Sequence, residues 1–128
     1  MDERFTKGLA TRKQVLGEMP VAQRVASAQG ELNADLQKYL TEFAWGDIWS
    51  RGQLSLRDRS LATISMLAAQ NRPTELKTHI EGALNNGVTM EEVAEVFLHA
   101  AVYCGFPAAM TCMRLAKEVA AARQGAAG

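Results

Sequence analysis

Residues 87–105 read GVTMEEVAEVFLHAAVYCG, and both ends of this segment carry helix-boundary signals. Thr89 is followed three positions later by Glu92, which is the spacing of a capping box at the start of a helix. Apolar residues then recur every three or four positions, the period of a helix with one buried face. Gly105 stands where a helix end favours a left-handed residue. The segment therefore predicts an amphipathic helix over 90–103.

Similar signals along the rest of the chain predict an all-α fold of about six to seven helices. Alanine, leucine, methionine and glutamate dominate, and no strand-like alternation is sustained. Pro73 and Pro107 suit the first turns of helices, and Gly87 suits a helix end. Besides 90–103, the predicted helices cover 2–16, a short turn near 21–28, 31–45, 56–70 and 73–86. The tail over 124–128 is expected to be frayed.

Length and composition predict one globular domain over residues 1–128. The apolar share is 48% and the charged share 22%, both ordinary for a packed domain. Fourteen acidic and fourteen basic residues balance, so we expect neither nucleic acid nor a membrane surface as a partner. The first residues have no apolar stretch typical of a secretion signal, and we expect a cytoplasmic protein in which Cys104 and Cys112 are free thiols.

The chain has two histidines, and each follows a glutamate by four positions: Glu75 precedes His79, and Glu95 precedes His99. A carboxylate one helical turn away can orient an imidazole, raise its pKa and keep it able to donate a proton near neutral pH. Glu75 and His79 are therefore candidate catalytic residues, as a general acid or oxyanion donor with its orienting group. The alternative for either pair is a solvated helix face with an incidental ion pair.

Residues 44–49 read AWGDIW and contain both tryptophans of the chain. Rigid aromatic surface beside a glycine and a carboxylate suits the wall of a small-molecule pocket. Trp45, Asp47 and Trp49 are therefore candidate substrate-binding residues. The alternative is a structural bend that fills the core. No zinc-protease, phosphate-loop, nucleophile-elbow or Cys-x-x-Cys motif occurs, and the histidine spacing predicts no metal site.

Several of these motifs occur together in one order and resemble the carboxymuconolactone decarboxylase family, especially its branch that acts on 4-carboxymuconolactone. The resemblance covers about residues 4–118. The segments that carry it are Gly8-Leu9-x-x-Arg12-x-x-Val15-Leu16-Gly17, Ala44-Trp45-Gly46-Asp47-Ile48-Trp49, Arg59-Ser60-Leu61, Asn71, Glu75-Leu76, His79, Asn85-Asn86-Gly87-Val88, and Tyr103-Cys104-Gly105 with Pro107.

The resemblance implies an AhpD-like helical fold assembled as a homo-oligomer, a trimer or a hexamer. It also implies a cofactor-free enzyme that converts 4-carboxymuconolactone to 3-oxoadipate enol-lactone and carbon dioxide in protocatechuate catabolism (the β-ketoadipate pathway). The peroxidase branch of the superfamily carries Cys-x-x-Cys-x-x-x-His. Here Arg72 and Glu75 occupy the two cysteine positions before His79, which disfavours a peroxidase.

The requirements of this reaction lead to a hypothesis for the roles of individual residues. His79 would donate to the oxyanion or supply the proton, with Glu75 holding its ring. Arg59 or Arg51 would bind the retained carboxylate through a planar bidentate contact. The two tryptophans would form an apolar wall around the departing carboxylate. Arg59 has an alternative role as a structural ion-pair partner.

His99, Tyr103 and Cys104 complete the predicted substrate-binding set. Tyr103 could point its hydroxyl at the ligand or at a carboxylate such as Glu92. Cys104 could be a thiol of lowered pKa near a helix start, or a small buried residue in a tight turn. His99 and the methionine at 110 depart from the family pattern. These departures leave open a paralogue acting on a different lactone or keto acid. A separate alternative is a non-catalytic oligomeric binding protein.

Overall fold

The computed structural model describes residues 2–127, in which no strand occurs, and the prediction of an all-α fold is confirmed. Contacts divide the chain into two compact units, Met1–Leu56 and Arg57–Gly128. A single domain stays a prediction. The elements are α1 Glu3–Leu16, α2 Glu18–Ala28, α3 Ala34–Tyr39, a π-helix Leu40–Trp49, α4 Leu56–Ala69, α5 Pro73–Asn85, α6 Met90–Cys104 and α7 Phe106–Ala127.

In the first unit, α1 and the π-helix cross with their backbones nearly in contact. A β-carbon on Gly8 would lie 2.0 Å from the carbonyl oxygen of Thr41, and one on Gly46 would lie 2.5 Å from the carbonyl oxygen of Arg4. Only glycine at both positions allows this crossing. The core of the unit is a cluster of buried apolar residues: Val15, Leu16, Val21 and Trp45.

The π-helix corrects the sequence-based prediction for this part of the chain. The pattern predicts a helix over 31–45 followed by a bend, whereas the chain stays helical through Trp49 as a ten-residue π-helix. Ser50 ends it, because its hydroxyl donates to the carbonyl of Trp45 at 2.6 Å and lies 2.8 Å from the hydroxyl of Thr11. Such widened turns are rare and depend on tertiary contacts, here with α1, that a local pattern does not reveal.

The second unit has its own core, in which α5 and α6 both pack against α7. Its predicted helix boundaries are confirmed. The hydroxyl of Thr89 accepts from the N–H of Glu92 at 3.1 Å, and the Glu92 carboxylate accepts from the N–H of Thr89 at 2.9 Å. Gly87 and Gly105 have φ of 92° and 94°. The core is built from apolar residues of all four helices, including Ile64, Leu76, Ile80, Phe97 and Val119.

The predicted frayed tail over 124–128 lies at the end of α7, and its fraying stays a prediction. The helix continues through residues 124–127, and Gly128 lies outside the described residues. The physical reason is the run of alanines after Val119, since alanine has the highest helix propensity. No helix within residues 2–127 has both the length and the hydropathy that a membrane span requires.

Candidate functional site

The two tryptophans stack on each other in the first unit. Their ring centroids are 4.8 Å apart and the ring planes differ by 26°. Side chains four positions apart lie on nearly the same side of a helical segment, so the two rings can contact each other. Trp45 is 3% exposed and belongs to the core, whereas Trp49 is half-buried and packs against that core. Trp45 therefore fits the alternative in which the tryptophan fills the core. The ring of Trp49 is partly exposed and is the one that a ligand could contact.

Asp47 is held by Arg4 rather than left open. The Arg4 Nη2 lies 2.6 Å from one Asp47 oxygen, and its Nε lies 3.0 Å and 3.1 Å from the two oxygens. The hydrogen bond from Arg4, followed by its charge, holds the pKa of Asp47 below its ordinary value. This pair spans the same crossing of α1 and the π-helix at which Gly46 meets Arg4. Arg51, two residues after the π-helix, is exposed.

The structure does not join Glu75 to His79. Glu75 lies in the first turn of α5, is exposed, and makes no hydrogen bond or ion pair within residues 2–127. The predicted contact is therefore absent in this conformation, because solvation of an exposed carboxylate competes with a weak one-turn attraction. His79 is half-buried, and its Nδ1 is shielded from solvent.

Arg59 has an environment similar to that of His79. It lies on α4, is half-buried, and its Nε is shielded from solvent. The neighbouring Ser60 is fully buried and accepts a hydrogen bond from the Asn86 amide at 2.9 Å, which fixes the start of α4 to the end of α5. Arg59 and His79 thus keep their polar atoms partly out of bulk water, a condition that strengthens interactions with a charged ligand.

Three other predicted residues meet in one cleft of the second unit. His99, Tyr103 and Cys104 line a cleft of about 540 Å³, together with apolar groups such as Leu61 and Val96. The rings of His99 and Tyr103 are 5.4 Å apart and tilted by 41°. Cys104 is exposed, which corrects the alternative of a buried turn residue, because its side chain faces this cleft. Both cysteines are free thiols, as expected, and it is Cys112 that is buried.

The charge of this cleft does not suit a dicarboxylate. Glu92 and Glu95 both line it. The pKa of Glu92 is held low, first by the backbone N–H of Thr89 and then by Arg57, with which Glu92 forms an ion pair. Arg57 offsets one of the two carboxylates, and the other repels an anionic ligand. The cleft thus brings together three predicted residues in an acidic setting.

Sequence reasoning gave no role to Arg12, which is part of the N-terminal motif. Its side chain is 3% exposed, and its Nη1 donates to the hydroxyl of Thr41 at 3.3 Å. Burial lowers the pKa of Arg12, and the charge of Arg24 lowers it further. The only sequence signal was its position one helical turn after Gly8, which places it on the side of α1 that meets the π-helix.

Within residues 2–127, no group of three or more histidine, cysteine, aspartate or glutamate side chains is arranged to hold a metal ion.

A comparison with protein families identifies the chain. The model of the carboxymuconolactone decarboxylase family matches residues 34–118. The chain belongs to the carboxymuconolactone decarboxylase family. The resemblance predicted from the motifs is confirmed, and the family match includes the π-helix and most of the second unit.

Two curated proteins are similar to the chain over most of their length. The 4-carboxymuconolactone decarboxylase of Acinetobacter baylyi is 41% identical over 118 residues, which cover 92% of this chain and 87% of that protein. The nitrosuccinic acid decarboxylase of Metarhizium robertsii is 41% identical over 109 residues, which cover 85% of this chain and 76% of that protein. The two relatives act on different acids, and both are decarboxylases by name.

Proposed function

We propose that this chain is a cofactor-independent decarboxylase that converts 4-carboxymuconolactone to 3-oxoadipate enol-lactone and carbon dioxide in protocatechuate catabolism. The observation that carries the proposal is the 41% identity to the Acinetobacter enzyme over 92% of the chain. The coarser conclusion, that the chain is a carboxy-lyase, draws support from both relatives, since each is named a decarboxylase.

The substrate itself supplies the electron sink that the reaction needs. In 4-carboxymuconolactone the departing carboxylate is bound to a ring carbon that is conjugated, through a double bond, to the lactone carbonyl. When carbon dioxide leaves, the electron pair spreads onto the carbonyl oxygen, and a proton is then added to carbon. The protein has to stabilise the developing oxyanion, bind the retained carboxylate and deliver this proton. One fixed hydrogen-bond donor is typically worth on the order of 3 kcal/mol in such a step.

We assign the donor role to His79 and the binding of the retained carboxylate to Arg59. The half-buried position of each residue supports this assignment, because a donor sheltered from water interacts more strongly with developing charge. Arg51 is exposed and is the weaker candidate for the carboxylate. Glu75 has no part in the assignment, since its side chain is exposed and unbonded within residues 2–127.

A second candidate substrate is nitrosuccinic acid, because the Metarhizium relative is equally identical at 41%. Nitrosuccinic acid is also a dicarboxylic acid, and its nitro group lies beside one carboxyl group. The nitro oxygens can accept the electron pair as the lactone carbonyl does. Both substrates therefore need a cation for the retained carboxylate and a donor at the electron sink.

The test is turnover of both acids by the purified chain. We expect the ultraviolet absorbance of 4-carboxymuconolactone to fall and carbon dioxide to be released in equal amount, with little release from nitrosuccinate. The opposite preference would replace the first candidate with the second. Thermal stabilisation by either acid without turnover would instead indicate the non-catalytic binding protein, and would overturn the proposal.

We also propose that the chain assembles as a homo-oligomer, a trimer or a hexamer. A surface of α6 and α7 exposes large apolar side chains: Leu98 (56%), Val102 (76%), Tyr103 (78%), Phe106 (69%) and Met110 (70%). Exposed apolar surface of this kind typically marks an interface, and a second copy of the chain is the occupant we propose. Light scattering should give a multiple of 13.9 kDa.

The matched variants for the assembly are Val102→Glu and Met19→Glu, because both residues are exposed and apolar and lie in different units. Val102→Glu should lower the molar mass to that of a monomer, whereas Met19→Glu should not. A monomeric mass for the unsubstituted chain would contradict the proposal.

A further inference from the structure

The outer face of helices α6 and α7 is apolar near the turn that joins them. The two helices pack on each other on either side of Gly105, as an αα-hairpin. Leu98 and Val102 are four positions apart on α6, so they lie on one side of that helix. Phe106 and Met110 have the same spacing on α7. All four side chains are exposed, so the turn end of the hairpin presents an uncovered apolar surface.

Farther from the turn, the same face carries charges of opposite sign on the two helices. On α6, Glu91 and Glu95 precede Leu98 by seven and three positions, so they share its side of the helix. On α7, Arg114 and Lys117 follow the apolar pair at three- and four-residue spacing. Both cations line a groove of about 380 Å³ together with Leu98, which shows that the two helices run side by side here. The hairpin therefore presents carboxylates on α6 and cations on α7.

Three of these four charged side chains have no partner in the described part of their own chain. Within residues 2–127, the side chains of Glu91, Glu95 and Lys117 are exposed and make no hydrogen bond or ion pair. Arg114 lies 3.4 Å from Glu118, one helical turn later, and an exposed pair of this kind contributes little to stability. Both signs of charge on this face are therefore available to a partner with the complementary arrangement.

The charges of the two helices stand at similar distances from the turn. With a rise of about 1.5 Å per residue, Glu95 lies about 15 Å from Gly105 along α6, and Arg114 lies about 14 Å from it along α7. Lys117 and Glu91 follow at about 18 Å and about 21 Å. A second hairpin of the same sequence, laid face to face with its turn at the same end, therefore brings acidic residues opposite basic ones.

We infer that two copies of the chain pair through this face about a two-fold axis along the hairpin, with α6 of each copy against α7 of the other. Rotation about this axis keeps the two turns together, so apolar side chains meet apolar side chains. It also places the carboxylates of each copy against the cations of the other, at two equivalent contacts. A two-fold axis across the hairpin would set α6 against α6 and leave the carboxylates without cations. The inference rests on the homo-oligomer proposed above and specifies how its copies meet.

Sedimentation velocity of the unsubstituted chain tests the two-fold pairing by the number of copies. We expect a mass that corresponds to an even number of 13.9 kDa chains. A mass of three copies would support the homo-oligomer and overturn the two-fold pairing. A monomeric mass would overturn both.

Charge reversal tests the contacts themselves. Glu95→Lys and Lys117→Glu should each raise the Kd of the pairing about tenfold, because each reversal sets like charges together at both equivalent contacts. Both side chains are exposed, so the variants should fold, which circular dichroism checks. Glu31→Lys is the matched control, since it makes the same change of charge at an exposed position of the first unit and should leave the Kd unchanged. An unaltered Kd in both reversals, or an equal loss in the control, would overturn the inference.

Mixing the two reversed variants shows whether the charges meet between copies. In a mixed pair of Glu95→Lys and Lys117→Glu, both contacts again join opposite charges, so the Kd should return close to that of the unsubstituted chain. Charges that met only within one chain would give no recovery, because each chain keeps its own substitution. Absence of recovery on mixing would therefore overturn the inference. None of these measurements uses turnover, so failure of this inference is distinct from failure of the proposed decarboxylation.

Discussion

A β-carbon on Gly8 would lie 2.0 Å from the carbonyl oxygen of Thr41, well inside van der Waals contact. The two residues belong to α1 and to the π-helix, and their approach determines several other features of the first unit. It brings Arg12 to the hydroxyl of Thr41, and it places Arg4 beside Asp47. Gly8 has no side chain that could bind or react, but the close approach that it allows positions the buried Arg12 and the exposed Arg4.

Gly8→Ala should destabilise the chain by about 3 kcal/mol, since the methyl group forces apart two backbones that have no flexible side chain between them. Urea unfolding measures the effect. Gly52→Ala is the matched control, because a β-carbon there meets nothing within 4 Å, and it should be neutral or slightly stabilising. Equal effects of the two substitutions would contradict the close crossing.

His79→Gln and His79→Ala should each lower kcat about 10²-fold, if the imidazole supplies general-acid or oxyanion help, while the Tm changes little. His99→Gln is the matched control. His99 lies in the acidic cleft with Glu92 and Glu95, so we expect its loss to leave kcat nearly unchanged. Near-normal turnover by both His79 variants would remove this residue from the mechanism.

The Glu75→Gln substitution tests whether this carboxylate acts on His79 during catalysis. The pattern predicts that Glu75 orients His79, whereas the structure leaves this carboxylate exposed and unbonded within residues 2–127. We therefore expect kcat and its pH profile to be unchanged in Glu75→Gln. A shift of the pH profile, with the Tm unchanged, would show that the two side chains meet during catalysis.

The pair of Arg4 and Asp47 should make stability depend on pH in the acid range. Because the pKa of Asp47 is lower in the folded chain, its contribution is fully present above the unfolded-state pKa of about 3.9 and is lost as the pH falls through the folded-state pKa. The free energy of unfolding should thus fall less steeply below about pH 4 in Asp47→Asn than in the unsubstituted chain. Identical pH dependence would contradict the pairing. Arg4→Met should reproduce the effect of Asp47→Asn.

Thr89→Ala should destabilise the chain by about 1 kcal/mol, because it removes the acceptor for the Glu92 N–H at the start of α6. Thr74→Ala is the control, since this exposed hydroxyl makes no hydrogen bond within residues 2–127. Chemical unfolding compares the two. A loss for Thr74→Ala as large as that for Thr89→Ala would show that the capping box contributes nothing.

Local sequence patterns are sufficient to predict most of the helices and the family to which the chain belongs. The capping box at Thr89, the first-turn Pro73 and the positive-φ Gly87 and Gly105 each act through neighbours within a few residues, so their structure could be predicted directly. The prediction of a helix that ends at residue 45 is wrong, since the chain continues as a π-helix. The widening of these turns depends on the approach of α1 at Gly8 and Gly46, which are distant in the sequence.

Short-range spacing and the order of motifs are enough to predict the all-α class, the helix boundaries of the second unit and membership of the family. Which side chains are sheltered, and which groups they contact, depends on the tertiary structure. The fold buries Trp45 and Arg12, pairs Asp47 with Arg4 and leaves Glu75 exposed. Periodicity shows which side of a helix is apolar, but the partner that covers it comes from residues distant in the chain.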